Sequence, residues 1–245
     1  MAGGKKIIIV VPAYNAEKKL LSVFERIPKG IWEKNISALI VNDGSTDGTK
    51  KKIAEVQSRW KEKIAVMDKS MNEGYARAQK SGFTEALKQG ADIAVLLHSD
   101  GQYAPEKLPE LLRPLEEESA DIVQGSRMME RRNALKGGMP LYKFVANIVL
   151  STLENWAYGL RFSEYHSGYM LYSRKALQTI PFRKLSDTFH FDGEMLLVGA
   201  KKGLRVKEIP IPTLYADEVS YVKNIRYGFQ VIGIMIKYRL GKYDF

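Results

Sequence analysis

Short apolar runs alternate with segments of helical period along the first half of the chain. Ile7 to Val11, Ala38 to Val41, Ile64 to Met67, Ile93 to Leu97 and Ile122 to Val123 are brief, partly β-branched and bounded by polar or turn residues, which predicts buried strands. Between them lie helix-period segments with start signals. Leu20, Leu21, Phe24 and Ile27 form one apolar face after Asn15, and Ile53, Val56 and Trp60 form another after Thr46 or Asp47. Glu73 to Lys88 carries Ala76, Phe83 and Leu87, and Pro105 is placed to open a helix containing Leu108, Leu111 and Leu112. A repeating strand–helix alternation predicts an α/β fold, with a mostly parallel sheet flanked by helices on both faces.

Past residue 125 the pattern changes. Gly125 to Gly138 is basic and glycine-bearing, and reads as an ordered loop or lid. Pro140 to Tyr158 reads as one long or two short amphipathic helices with Phe144, Val145, Ile148, Val149, Leu153 and Trp156 on the apolar face. Gly168 to Tyr172 and Leu204 to Ile209 predict strands, Phe191 to Lys202 a helix, and Tyr221 to Leu240 a final amphipathic helix. The organisation expected is one domain over residues 1–215, extended by a C-terminal amphipathic helix over 216–245.

Composition narrows the chemistry. With 45% hydrophobic and 27% charged residues the 245-residue chain is globular in character. The absence of cysteine removes disulfides, thiolate metal sites and cysteine nucleophiles, and suits a reducing, cytoplasmic setting. A formal charge of +10 asks for an anionic partner: nucleic acid, anionic lipid or a phosphorylated small molecule. No stretch reaches the roughly 18 apolar residues of a membrane span.

Three polar loops follow three predicted strands: Pro12-Ala13-Tyr14-Asn15, Asn42 to Gly48, and His98-Ser99-Asp100-Gly101-Gln102. Ligands of parallel sheets bind beyond the carboxyl ends of the strands, so these loops are expected to share one rim and hold a polar ligand such as a nucleotide. Singly, Asp43 and Asp100 are ordinary turn residues, and Asp47 or Thr46 ordinary helix caps. Neither GxGxxG nor GxxxxGK[ST] is present, which disfavours the dinucleotide and P-loop modes.

The segments VVPAYNAE, VNDGSTDGT, NEGYARAQKSG and SDGQYAPE, followed by GSR, SGYMLYSRKAL and FDGE, resemble family 2 glycosyltransferases of the GT-A fold. The resemblance spans nearly the whole chain and is strongest to the dolichol-phosphate mannose synthase and polyprenyl-phosphate glycosyltransferase branch. It implies transfer of a hexose from a GDP- or UDP-sugar to a polyprenyl or dolichyl phosphate by metal-assisted, inverting displacement. It places Pro12, Ala13, Tyr14, Asn15, Glu17, Asp43, Asn72, Gly74, Arg77, Ser99 and Asp100 around the nucleotide sugar. It places Asp100 and Gln102 on a divalent ion, Mg²⁺ or Mn²⁺. The family's Asp-x-Asp motif is altered here, because its first aspartate is His98; imidazole suits softer ions, and His98 reads as a hydrogen-bonded structural residue.

On the acceptor side the resemblance points to Ser126, Arg127, His166 and Ser167. Arg131 joins them because forked guanidinium donors suit phosphate. Asp192, ahead of Glu194, is the candidate general base, and it matters only for an acceptor that must lose a proton; a helix-start pair favoured by the macrodipole is the competing reading. Asp100, Asp192 and Arg127 form the expected catalytic set. Aromatic and basic residues flanking the final helix, Tyr221, Lys223, Arg226, Tyr227, Phe229, Lys237, Tyr238, Arg239, Lys242 and Tyr243, suit a membrane interface, which places the protein at the inner face of a membrane, with a small anchoring subunit as a conceivable partner. Competing readings are a family 2 enzyme acting on a sugar hydroxyl and a non-catalytic nucleotide-sugar-binding protein. Nucleic acid is set aside because no recognised binding module is visible.

Overall fold

The computed structural model describes residues 4–212, 215 and 224–243. Its centre is a seven-stranded sheet: β1 (Ile7–Ala13), β2 (Ile36–Asn42), β3 (Ile64–Asp68), β4 (Ile93–Leu96), β5 (Ile122–Ser126), β6 (Met170–Ser173) and β7 (Val206–Pro210). The spatial order is β3-β2-β1-β4-β6-β5-β7. β6 runs antiparallel to both β4 and β5, and every other pairing is parallel.

The helices are α1 (Leu20–Glu25), α2 (Thr49–Trp60), α3 (Tyr75–Lys88), α4 (Leu108–Glu116), α5 (Arg131–Lys136), α6 (Leu141–Tyr158), α7 (Arg174–Thr179), α8 (Phe191–Lys201) and α9 (Asn224–Arg239). Both faces of the sheet are buried, which explains why the strands read as continuous apolar runs. Ile7, Ile9 and Val11 of β1 belong to a core built with residues of α1, α2 and α4. Ile8 and Val10 point to the other face, into a core that includes residues of α3, α7, α8 and α9. One-residue alternation assigns neighbouring side chains to two separate cores.

Several boundaries differ from the sequence reading. α3 begins at Tyr75 rather than Glu73, because Asp43 accepts the backbone N–H groups of Glu73 (3.2 Å) and Gly74 (2.8 Å) and pins the approach to the helix. The expected lid contains the short helix α5. α6 is one continuous helix. α7 had no apolar run to announce it; Ser173 caps it by accepting the Ala176 N–H. The final helix is described from Asn224 onward; Tyr221 and Lys223, and the side chain of Arg226, lie outside the described residues. α9 packs on α6, and its Val231 and Met235 are buried in the core that contains β1 and α8 residues.

Candidate functional site

The loops after β1, β2 and β4 meet at one rim, at the mouth of a cavity of about 1160 Å³. Pro12, Ala13, Tyr14, Asn15, Glu17, Asp43, Asn72, Gly74, Ser99, Asp100 and Gln102 all line it. The loops are tied to one another. Asn15 Oδ1 accepts the Thr46 N–H at 2.9 Å, Glu17 accepts the Gly48 N–H at 3.1 Å, and Ser99 donates to the Pro12 carbonyl at 2.8 Å. Asn15 takes a positive φ of 50°, a conformation asparagine tolerates better than most residues. Arg77 is not at this rim: it points outward from α3 and pairs with Asp187 at 2.7 Å.

Asp100 is exposed, and its Oδ1 accepts the Gln102 N–H at 2.9 Å. Among the described residues no three histidine, cysteine, aspartate or glutamate side chains converge as a preformed metal cage. One carboxylate with a nearby amide oxygen fits a hard cation that keeps water and phosphate oxygens as its other ligands. His98 takes no part in such a set of oxygens. Its Nε2 lies 2.9 Å from the Tyr75 hydroxyl, which donates to Asp192 Oδ2 at 2.5 Å. Since Tyr75 has one hydrogen and gives it to Asp192, it accepts from His98 Nε2–H. A Cβ on Gly168 would lie 2.5 Å from the His98 ring, so a glycine there is the condition for the imidazole's position.

Asp192 itself lines the cavity and is 5% exposed. Burial raises its carboxyl above the ordinary range, with the Tyr75 hydrogen bond opposing. Glu194, its rival in the sequence, turns away and accepts from Ser186 and Tyr243.

The acceptor-side expectations separate. Arg127 lines the cavity but is committed: its Nη2 lies 2.7 Å from Glu164 and 2.6 Å from the His166 carbonyl, and its Nη1 donates to Tyr215 at 3.2 Å. Burial works to raise the Glu164 carboxyl, but Arg127 outweighs it and holds it low. Ser126 is buried, and its Oγ accepts the N–H groups of Met128 and Met129. Ser167 donates to the Gly125 carbonyl at 2.5 Å. Arg131 is exposed and lines a separate shallow groove with Arg132. Of the five, Arg127 and His166 alone reach the cavity.

The cavity has a wall that sequence reasoning missed. Tyr142, Lys143, Asn147 and Leu150 of α6 line it, with Tyr215 and, from α9, Tyr227. The Lys143 ammonium sits 5.3 Å from the centre of the Tyr215 ring and makes no ion pair among the described residues. Its signal was the single cation of a helix whose other positions are mostly apolar or small polar.

A further surface adjoins this wall. Leu141, Tyr142, Val145, Val149, Leu153 and Trp156 form an exposed stripe on α6, and Phe229, Ile232, Ile236 and Leu240 form another on and just beyond α9. Trp156 and Phe229 are each 70% exposed. Arg239 of α9 stacks over Trp156 at 4.7 Å and joins the two stripes. α9 contains no acidic residue, and the single acid of α6, Glu154, is fully buried.

The family described as Glycosyl transferase family 2 matches residues 8–180, which hold all three loops of the rim. The chain belongs to glycosyltransferase family 2. Among its relatives in that family, a UDP-N-acetylglucosamine–dolichyl-phosphate N-acetylglucosaminyltransferase of Methanococcus voltae is 28% identical over 250 aligned positions, covering 97% of this chain and 98% of that one. A polyprenol monophosphomannose synthase of Mycolicibacterium smegmatis is 26% identical over 208, covering 84% and 77%. The crystal structure of glucosyl-3-phosphoglycerate synthase from Mycobacterium tuberculosis, in complex with Mn²⁺, UDP and glucosyl-3-phosphoglycerate, superposes with a TM-score of 0.72 at 20% identity, covering 98% of this chain and 82% of that one. The fold of this family 2 glycosyltransferase is therefore GT-A.

Proposed function

We propose that this glycosyltransferase moves a hexose from a GDP- or UDP-sugar to a polyprenyl or dolichyl phosphate held at a membrane surface. One observation carries the reading: a single cavity joins the nucleotide rim to α6, whose outer face is apolar and free of exposed acids. The relatives named for dolichyl-phosphate and polyprenol substrates point to the same acceptor class. No described helix is long and apolar enough to cross a membrane, so the acceptor would be met from the interface, where exposed tryptophan and phenylalanine beside arginine and lysine suit the headgroup region.

On this reading the donor lies along Pro12 to Asn15, Asp43, Asn72 and Gly74, with Asp100 and Gln102 at the diphosphate. Those two would hold a Mg²⁺ or Mn²⁺, which when bound would supply positive charge against the departing nucleoside diphosphate. The acceptor phosphate needs a cation not already neutralised. Arg127 is matched by Glu164 and Lys143 has no carboxylate partner among the described residues, so Lys143 meets the phosphate, and Arg127 serves to fix the His166 carbonyl and the Tyr215 ring beside it. Such a phosphate monoester is ionised near neutral pH and attacks without a base.

A second reading has its own observation. A buried carboxylate with a raised proton affinity, facing the cavity, is what a sugar hydroxyl acceptor would require, and Asp192 has that character. The test is nucleoside diphosphate release from purified enzyme given GDP- and UDP-hexoses, Mn²⁺ or Mg²⁺, and either polyprenyl phosphate or soluble sugars. Release stimulated by the lipid phosphate supports the first reading. Release stimulated by sugars alone replaces it with the second.

A further inference from the structure

Behind the acceptor wall four polar side chains from four segments close on one another. Glu154 of α6 is fully buried, and its Oε1 and Oε2 lie 3.0 Å from His190 Nε2 and 3.2 Å from His166 Nε2. The far nitrogen of each ring meets the same group: the Tyr227 hydroxyl of α9 is 2.7 Å from His166 Nδ1 and 3.1 Å from His190 Nδ1. The fit around His190 is close, because a Cβ on Gly193 would lie 2.3 Å from its ring.

Hydrogen counting fixes the charge of this group. Tyr227 has one hydrogen and can give it to one Nδ1, so the other Nδ1 must itself carry a hydrogen and donate. Two ring nitrogens stand within ion-pair distance of the carboxylate, whose oxygens find no other hydrogen-bond partner among the described residues, so a satisfied carboxylate calls for a hydrogen between each nitrogen and the oxygen it faces. The count closes only with one proton beyond a carboxylate and two neutral imidazoles, whether that proton is placed on a ring or on Glu154. The cluster is then electrically neutral, the condition for a buried carboxylate with no other basic partner.

We propose that Glu154, His166 and His190 are positioning residues that share this one proton, and that through it they hold Tyr227, and with it α9, as a wall of the cavity. Loss of the proton leaves a bare buried charge and sets two lone pairs against a hydroxyl that can satisfy one. The Tyr227 contact then fails and α9 loosens. Burial works against the charged form of His190, but Glu154 outweighs it and raises the ring above its ordinary 6.5. The two imidazoles likewise overcome burial to hold Glu154 down to about 2. The latch is therefore closed in acid and neutral solution and opens as pH rises through the raised histidine value.

The other titratable groups facing the cluster are Asp192 and Glu194 of α8, the Arg127–Glu164 pair, and the phenols of Tyr158, Tyr165 and Tyr243. The carboxylates of Asp192 and Glu194 reinforce the imidazolium, and the arginine and glutamate offset each other.

Hydrogen exchange of the α9 amides in the full-length protein, corrected for intrinsic rate and compared with α2 amides from pH 6 to pH 9, tests the idea. Wild-type α9 protection should fall about tenfold across this range while α2 holds steady, the size expected for one charge-assisted bond. Tyr227→Phe should show the lower protection at every pH. Glu154→Gln provides the decisive contrast, because its amide donates to one ring and accepts from the other without an extra proton. That variant should keep α9 protected and remove the pH dependence. Wild-type protection independent of pH, Tyr227→Phe indistinguishable from wild type, or Glu154→Gln as pH-dependent as wild type would each overturn the proposal. The readout is exchange rather than turnover, so it stands apart from the identity of the acceptor.

Discussion

At the scale of single residues, the two halves of the cavity use their charges differently. Asp43, Asn15 and Glu17 spend much of their hydrogen-bonding capacity holding the loops in place, whereas Lys143, among the described residues, meets a ring face and no carboxylate. Lys143→Ala is therefore expected to raise the KM for polyprenyl phosphate about tenfold or more while leaving the KM for the nucleotide sugar near its wild-type value, read from steady-state kinetics with each substrate varied. Asp192→Asn supplies the companion measurement. Positioned bases are worth roughly a hundredfold or more, so a modest loss fits a phosphate acceptor and a loss above that size fits a hydroxyl. That the Pro12 to Asn15, Asp43 and Asp100 loops would share a rim was legible in the sequence because they directly follow apolar strands, where position in the chain translates into position on the rim. The pairing of Arg127 was hidden for the opposite reason: its partner Glu164 is 37 residues away and lies beside it only after folding. A chain without coordinates shows a cation but not whether another side chain already answers it.

At the scale of elements, the antiparallel β6 is what the alternating pattern could not announce. Its core-facing residues have the same apolar character as those of a parallel strand, and direction is set by the connection rather than by composition. The segment between β5 and β6 contains α5 and α6, so the α6 wall of the cavity is an insertion carried by the sheet's one reversal. The far edge is tied by charge. Asp121, at the start of β5, receives the Arg205 guanidinium and backbone N–H at 3.0 and 2.9 Å and meets Lys175 at 3.3 Å. Those bonds, chiefly from Arg205, hold its carboxyl at about 2 against an ordinary 3.8. A lowered carboxylate stabilises the fold fully above its unfolded-state value and loses that contribution as pH falls from about 4 to about 2. Asp121→Asn should thus lower stability near neutral pH by about 1 to 2 kcal/mol and flatten the acid limb, as measured by denaturant unfolding at stepped pH.

For the whole molecule, the distribution of charge says more than the excess of +10. The apolar stripes of α6 and α9 are flanked by Lys143, Lys237 and Arg239 and carry no exposed acid of their own, so this face should approach an anionic bilayer in one orientation. Co-sedimentation should show binding to vesicles containing anionic lipid, weaker binding to neutral vesicles, and partial loss of binding in high salt. Trp156→Ser together with Phe229→Ser should reduce binding about tenfold or more while leaving thermal stability nearly unchanged, since both rings are largely exposed. These helices read from the sequence equally well as core or as interface, because periodicity reveals that a helix has an apolar face without saying what covers it.

The α6 stripe also bears on what this enzyme can distinguish. On the proposed reading a bound isoprenoid presents its phosphate to the cavity while its hydrocarbon stays among the surrounding lipids. Discrimination then belongs to the headgroup and the first few carbons beside Leu150 and Tyr142, and the remaining tail contributes residence at the surface rather than fit. Acceptors of quite different length would compete on nearly equal terms once embedded, and the effective concentration that governs turnover would be two-dimensional: moles of acceptor per unit of membrane rather than per litre.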